Sequence, residues 1–137
     1  MFTSIVVGTD GSETASRAVT SAAQLAADVG ADLHIVSAYG PAMRQDLERL
    51  RHGGGSVQAV LEEAAGLVAD AACKVETHEL AGNPADAIMT FTEEQAADLI
   101  VVGNKGLGGV KGMLGSVPSK VVKQSPSSVL IVRTDQE

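Results

Sequence analysis

The sequence predicts a doubly wound α/β fold, in which an open, five-stranded parallel sheet carries helices on both faces. Short β-branched runs alternate along the chain with stretches of helical periodicity, in the order β-α-β-α-β-α-β-α-β. Four of the runs are continuously apolar, as expected of strands that are buried on both faces. Regular alternation of strands and helices favours right-handed crossovers between parallel strands. We therefore expect a single domain that spans residues 1–137.

The predicted strands show two different patterns. The continuously apolar strands are Ile5–Val7, Leu33–Val36, Leu99–Val102 and Val129–Val132. The fifth strand, residues 74–80, alternates instead, with Val75 and Thr77 set against Glu76 and His78. Alternation of this kind is typical of a strand with one solvated face, so we predict this strand at an exposed edge of the sheet.

Apolar periodicity and end signals predict four helices between the strands. Ser12 is placed to cap the first helix and Gly30 to end it. The irregular segment 39–55 is expected to be a mobile loop with some helix. The helices are predicted at Glu13–Val29, at about 56–72, from Asn83-Pro84 onward, and at 116–124. The inward face of the second helix is expected to hold Val57, Val60, Leu61, Ala64, Leu67, Val68 and Ala71.

Composition argues against several classes of function. The net charge is −7, so general binding to nucleic acid or to an anionic membrane is not expected. Aromatic residues make up only 2% of the chain and Trp is absent, which argues against a stacking platform for single-stranded nucleic acid. The single cysteine, Cys73, is expected to be a small buried residue. No apolar run is long enough for a membrane span, and we expect a soluble, cytoplasmic protein.

A glycine-rich segment at the end of the fourth strand is the strongest candidate for a binding site. Six of the 15 glycines lie between residues 103 and 115. Glycine lets backbone N–H groups approach an anion closely, and Ser116 then opens a helix whose free N–H groups favour negative charge. A flexible surface loop is the alternative interpretation of the glycines taken alone.

The distribution of charge supports an anion at this segment. Residues 99–134 contain no Asp or Glu, whereas the rest of the chain is strongly acidic. An acidic protein with such a basic segment is arranged to hold an anion there, although chance and solubility also explain the pattern. The basic residues of the segment are Lys105, Lys111, Lys120, Lys123 and Arg133.

Asp10 directly follows the first strand, at the edge of the sheet where ligands of open α/β folds bind. Its carboxylate could accept hydrogen bonds from ribose hydroxyls, or it could serve only as a turn residue that bonds its own backbone. The P-loop pattern and the standard dinucleotide fingerprint are both absent. The widely spaced His34, His52 and His78 lack metal-ligand spacing and are expected to be structural or exposed.

With these features the chain resembles the universal stress protein family over essentially its whole length. The ATP-binding members carry the pattern G-x2-G-x9-G-(S/T), whose fixed residues are here Gly103, Gly106, Gly115 and Ser116. Eight residues, rather than nine, separate Gly106 from Gly115. The matching segments are Ile5–Ser12, Gly82–Ile88, Ala97–Gly103, Leu114–Val117 and Ser128–Val132.

The resemblance implies a Rossmann-like sheet of the adenine nucleotide alpha hydrolase-like type, with strand order 3-2-1-4-5. It implies a regulatory stress-response protein that binds ATP or AMP, or cAMP as mycobacterial-type members do, with Mg²⁺ a further candidate. It places Asp10 near the ribose, the backbone of Ala38 near adenine, and the glycine-rich segment around the phosphates. It also implies a homodimer paired through strand 128–133. The expected nucleotide-binding residues are Gly8, Thr9, Asp10, Gly11, Ser12, Ala38, Gly103, Asn104, Lys105, Gly106, Leu107, Gly108, Gly109, Gly115, Ser116 and Val117.

Two other classes of function remain open from the sequence. The same site could act as a slow ATPase, but no catalytic base is evident, so we expect recognition rather than catalysis. Alternatively, the chain could be an interaction module of the same fold that does not bind nucleotides, which the shortened glycine segment favours.

Overall fold

Five parallel strands form one sheet in the computed structural model of the chain, which describes residues 1–39, 57–104 and 115–134. The order across the sheet is β3-β2-β1-β4-β5. This arrangement confirms the predicted fold class and strand order. The strands are β1 (Ser4–Gly8), β2 (Asp32–Tyr39), β3 (Val75–Ala81), β4 (Leu99–Gly103) and β5 (Ser128–Val132).

The helices between the strands largely follow the sequence prediction. Two of them have the predicted limits, whereas the second ends at Leu67, five residues before the predicted end. Beyond this point the chain forms tight turns. Leu67 is 51% exposed rather than inward, because the buried stripe of α2 runs through Val57, Leu61 and Ala64, continues to Val68, and leaves Leu67 on its flank. The predicted loop 39–55 lies outside the described residues, apart from Tyr39 at the end of β2. The helices are α1 (Glu13–Val29), α2 (Val57–Leu67), α3 (Pro84–Glu94) and α4 (Ser116–Gln124).

The ends of α1 and α3 form as their residues predict. The Ser12 hydroxyl accepts the N–H of Ala15, and Gly30 ends α1 in the left-handed conformation. The Asn83 side chain accepts two backbone N–H groups at the start of α3. These caps matter for function because the helices that follow parallel strands begin at the carboxyl edge of the sheet.

Two layers of aliphatic side chains cover the sheet and explain why the three central strands are almost wholly apolar. On β1, Ile5 and Val7 face α1 and α2, whereas Val6 faces α3 and α4. All three side chains are fully buried. A central strand with helices on both faces has no solvated side, so alternation disappears from its sequence.

The two edge strands are less covered than the three central ones. β3 lies at an edge of the sheet, as the sequence predicts. The predicted alternation is wrong at two positions, because Thr77 is exposed, whereas His78 is partly buried against Phe91. On β5, Leu130 is 40% exposed, although the strand consists almost entirely of apolar residues. No helix in the described ranges is both long and apolar enough to cross a membrane.

Asp98 stabilises the end of the sheet at which the strands begin, by bonding the start of β1. Its carboxylate accepts the backbone N–H groups of Thr3 and Ser4 and the Thr3 hydroxyl, at distances of 3.0 to 3.3 Å. Burial raises the pKa of Asp98, but these hydrogen bonds outweigh it and bring the pKa below its usual range.

Replacing Asp98 with Ala should lower the free energy of unfolding by about 1 kcal/mol at pH 7, because the hydrogen bonds to the carboxylate are lost. The ionised carboxylate stabilises the fold above the ordinary Asp pKa of about 3.9, and this contribution disappears as the pH falls through the lower folded value. Chemical denaturation at pH 7 and pH 3 measures the difference between variant and parent. Exposed Asp70→Ala is the control, and an Asp98 effect of equal size at both pH values would contradict this account.

Candidate functional site

A cleft lies at the carboxyl edge of the sheet, between the ends of β1 and β4. These strands are neighbours, but α1 packs on one face of the sheet, whereas α3 and α4 pack on the other. Open α/β sheets bind their ligands at such a switch point. The cleft is lined by Gly8, Thr9, Asp10, Ser12, Thr14, Ala15, Val36, Ala38, Pro84, Ile88, Val102, Gly103, Val117 and Pro118.

The turn between β1 and α1 forms one wall of the cleft. The Asp10 carboxylate accepts the N–H of Ser12 at 2.9 Å, and the Thr9 hydroxyl accepts the N–H of Gly11 at 3.1 Å. Gly11 has a φ of 84°, a conformation that other residues rarely adopt. Asp10 therefore forms the turn bond considered from the sequence and also lines the cleft, while its contact with a ribose stays a prediction.

Close packing of α3 against β1 forms the apolar part of the cleft. A Cβ atom added at Gly8 would lie 2.8 Å from Cδ1 of Ile88, so any side chain at position 8 would displace this buried residue. Val36 and Ala38 of β2 and Pro84 of α3 complete the apolar surface. Gly8 thus allows a helix side chain to reach the floor of the cleft.

The end of β4 and the start of α4 lie together at the opposite wall. The backbone carbonyl of Asn104 accepts the N–H of Gly115 at 2.9 Å, which joins the two ends of the glycine-rich segment. Gly103 and Val117 line the cleft. The N–H groups of Ser116 and Val117 precede the first hydrogen bond within α4, which Ser119 donates to Gly115.

The structure brings together many of the predicted site residues in this single cleft. Gly11, Asn104 and Gly115 lie in the adjoining turns and Ser116 begins α4, but these four residues do not line the cleft. None of these positions tests contact with a nucleotide, so the roles assigned to them stay predictions. The predicted residues that line the cleft are Gly8, Thr9, Asp10, Ser12, Ala38, Gly103 and Val117. Lys105, Gly106, Leu107, Gly108 and Gly109 lie outside the described residues.

The sequence prediction missed the contribution of α3. Pro84 and Ile88 line the cleft, although neither is among the predicted site residues. The signal was present, because a capped helix that follows a parallel strand begins at the edge where ligands bind. Thr14, Ala15, Val36, Val102 and Pro118 were likewise not predicted.

One lysine of the basic segment has a defined partner. Lys120 on α4 lies 2.9 Å from the carboxylate of Asp86 on α3, and both side chains are partly exposed. This ion pair links the two helices whose first turns border the cleft. Because this ammonium group is already paired, an anion in the cleft would interact with the backbone N–H groups at the start of α4 instead.

His34 and His78 are far apart in the chain, but they are in contact in the fold. His34 Nδ1 and His78 Nε2 are 3.1 Å apart, because β2 and β3 are neighbours and both side chains face α3. Both rings pack against Phe91, with centroid distances of 5.7 and 4.6 Å. A hydrogen bond between two imidazoles requires at least one neutral ring. The pair fits the structural role expected from the sequence, and the described residues contain no cluster of three or more metal-ligating side chains.

The fold and the cleft define a class of protein: a doubly wound α/β domain with a binding cleft at the switch point between β1 and β4. Residues 1–133 match the family model of the universal stress protein family, and the chain belongs to this family. The universal stress protein Rv1636 from Mycobacterium tuberculosis H37Rv is 39% identical to it, with 97% of each chain covered. The resemblance inferred from the sequence is thus confirmed.

Solved structures show the same fold. A universal stress protein crystallised in complex with cAMP has 40% sequence identity and a TM-score of 0.78, and 98% of each chain is covered. The crystal structure of Rv1636 from M. tuberculosis has 40% identity and a TM-score of 0.62, with coverage of 97% of this chain and 96% of the other. A universal stress protein from Archaeoglobus fulgidus in complex with dAMP shares the fold at 24% identity and a TM-score of 0.74, with 96% and 98% covered.

Replacing His78 with Gln should make stability less dependent on pH near neutrality. Burial lowers the pKa of His78, the nearby His34 lowers it further, and Glu76 on β3 opposes both effects. Neutral His78 therefore makes its full contribution to stability above the ordinary His pKa of about 6.5, and this contribution is lost as the pH falls toward the lower pKa of the folded state. Thermal unfolding between pH 7.5 and 5.5 should show a smaller drop for the variant. Equal drops in both proteins would contradict the assignment.

Proposed function

We propose that this protein binds an adenine nucleotide of the cAMP, AMP or ATP class in the cleft between β1 and β4, and acts as a regulatory protein of the stress response in the cytoplasm. The observation that carries the proposal is the convergence of an apolar surface, a carboxylate and a helix start in one cleft. The solved relative with cAMP, which covers almost the whole chain at 40% identity, supports this ligand class.

The apolar part of the cleft suits a flat base. Val36, Ala38, Pro84 and Ile88 present aliphatic surface from β2 and α3, which lie on the same side of the cleft. Binding sites for small molecules are commonly apolar, with a few polar groups that fix orientation. In this proposal the backbone at Ala38 supplies hydrogen bonds to adenine, because side chains of this surface have none to offer.

The polar part of the cleft suits a sugar and its phosphates. Asp10 is the ribose acceptor in this proposal, with its position fixed by the bond from Ser12. Phosphate oxygens would lie near Gly103 and accept the N–H groups at the start of α4, where the helix dipole favours negative charge. Glycine at position 103 and the absence of acidic residues from α4 are consistent with this placement.

The proposal is recognition rather than catalysis. Asp10 is the one carboxylate among the described residues that line the cleft, and in this proposal it binds the ribose rather than the phosphates. General acid–base catalysis requires a group within hydrogen-bond reach of the reacting atoms. Binding would instead change the surface beside Gly103 and the start of α4, which a partner would recognise.

Isothermal titration calorimetry with cAMP, AMP and ATP tests the proposed function directly. We expect saturable binding of at least one of them, and weaker binding of the guanine counterparts, because the proposed backbone hydrogen bonds at Ala38 match the edge of adenine and not that of guanine. The absence of both heat and thermal stabilisation at millimolar nucleotide would overturn the proposal and favour an interaction module without a nucleotide.

Asp10→Asn refines the same test, because the amide keeps an acceptor for Ser12 and removes the charge offered to the ribose. The expected loss of affinity is about tenfold, as for one charge-assisted hydrogen bond. Asp28→Asn is the matched control, since Asp28 is an exposed acid near the far end of α1. Equal affinities for the Asp10 and Asp28 variants would show that Asp10 serves only the turn.

We further propose that two copies pair through β5 to form a homodimer. The strand lies at the edge of the sheet and exposes Leu130, and Val122 on the neighbouring α4 is 48% exposed. A long apolar edge strand favours association with another strand or surface. Pairing between two copies would cover both residues.

Leu130→Asp should convert the dimer to monomers or cause aggregation, because the charge would be buried in the interface. Light scattering after size-exclusion chromatography measures the mass. Leu67→Asp is the matched control, since Leu67 is also an exposed leucine but lies on α2. A wild-type monomer, or an unchanged dimer in the Leu130 variant, would refute the proposed interface.

A further inference from the structure

Asn104, the first residue after β4, joins three elements in a buried position. Its backbone N–H donates to the Val132 carbonyl at the end of β5 (3.0 Å), and its own carbonyl accepts the Gly115 N–H before α4 (2.9 Å). Its side-chain Oδ1 accepts both the N–H and the hydroxyl of Thr134, at 2.8 and 3.1 Å. Asn104 is 8% exposed and Thr134 is fully buried, so these bonds are shielded from water.

Thr134 also contacts α1 and the end of β4. Its carbonyl accepts a hydrogen bond from Nη1 of Arg17 on α1 at 2.8 Å. A Cβ atom added at Gly103 would lie 3.2 Å from Cγ2 and 3.3 Å from Oγ1 of Thr134, so the missing side chain at Gly103 makes room for it. Thr134, two residues after β5, is therefore packed between α1 and the end of β4, and rotation of the Asn104 side chain would break its bonds to this buried residue.

The side chain of Asn104 suits this position because one oxygen accepts two donors that would otherwise be buried without partners. An aliphatic residue would leave the Thr134 N–H and hydroxyl unsatisfied, which is costly in the interior. The bonds to Thr134, together with the bond from the Asn104 N–H to Val132, hold the residue from two sides and restrict the movement of its backbone carbonyl, which faces Gly115. Loss of the anchor at Thr134 would therefore loosen the bond to Gly115.

We propose that Asn104, anchored by Thr134, is a positioning residue that holds the start of α4 beside Gly103 and so sets the affinity for the phosphate part of the ligand. The inference rests on the proposed nucleotide-binding function. Asn104 does not line the cleft, and its side-chain oxygen is directed at Thr134. It acts through the bond between its carbonyl and Gly115, which fixes the N–H groups of Ser116 and Val117 in place.

The test compares adenosine with cAMP and ATP in calorimetric titrations of Asn104→Ala, Thr134→Val and Thr134→Ser. Val keeps the shape of Thr134 but removes the hydroxyl, whereas Ser keeps the hydroxyl. Phosphate-bearing ligands should bind about fivefold more weakly to Thr134→Val, as for one neutral hydrogen bond, and Thr134→Ser should bind as the wild type does. Asn104→Ala should weaken them further, while adenosine affinity stays constant in every variant.

Ser125→Ala is the matched control, because the Ser125 hydroxyl forms a similar two-bond anchor to Ser127 before β5, at the opposite end of that strand. This control should change no affinity. Amide hydrogen exchange at Gly115 in the ligand-free protein should accelerate in Asn104→Ala and in Thr134→Val but not in Thr134→Ser. If Asn104→Ala does not fold, the Thr134 pair decides the question.

Two failures are distinguishable in this design. A wild-type protein that binds none of the three ligands overturns the proposed function. If the wild-type protein binds them, two results for Thr134→Val overturn the positioning role: an equal loss of affinity for adenosine and for ATP, or no loss of affinity. Nucleotide binding itself would then stand.

Discussion

The pairing of β1 with both β2 and β4 is the constraint on which the rest of the structure depends. Ile5, Val6 and Val7 are fully buried because strands cover both edges of β1 and helices cover both of its faces. The parallel register brings the carboxyl ends of these three strands to one edge. The helices that follow β1 and β4 pack on opposite faces of the sheet, so a gap is left between the ends of these two strands. The cleft is therefore a direct consequence of the topology.

The cleft is organised by bonds that the protein makes with itself. Asp10 is oriented by the Ser12 N–H, Gly115 is held by the Asn104 carbonyl, and Ile88 reaches the floor because Gly8 carries no side chain. These contacts fix the walls without a ligand. A site whose groups are already in place loses less conformational entropy on binding, which favours affinity from a small number of contacts.

Features local in sequence could be predicted, and features that depend on register could not. The apolar runs, the Ser12 and Asn83 caps and the limits of α1 and α4 follow from short-range patterns, and the strand order followed from the family resemblance. The contact between His34 and His78 arises from the pairing of β2 with β3, which no spacing within either strand reveals. Likewise, the Asn104 side chain bonds Thr134, thirty residues later, and no local pattern reveals this contact. Leu67 was assigned inward because its spacing from Ala64 fits the apolar stripe, but the packing of α2 on the sheet buries the neighbouring Val68 and leaves Leu67 outside.

The aliphatic character of the core has an optical consequence. The chain contains no Trp and one Tyr, and its buried residues are mainly Val, Ile, Leu and Ala. Such a protein is nearly transparent in the near ultraviolet, where purines absorb strongly. Any adenine carried through purification would therefore dominate the absorption spectrum of the sample, and a spectrum without a purine band would mark it as free of bound base.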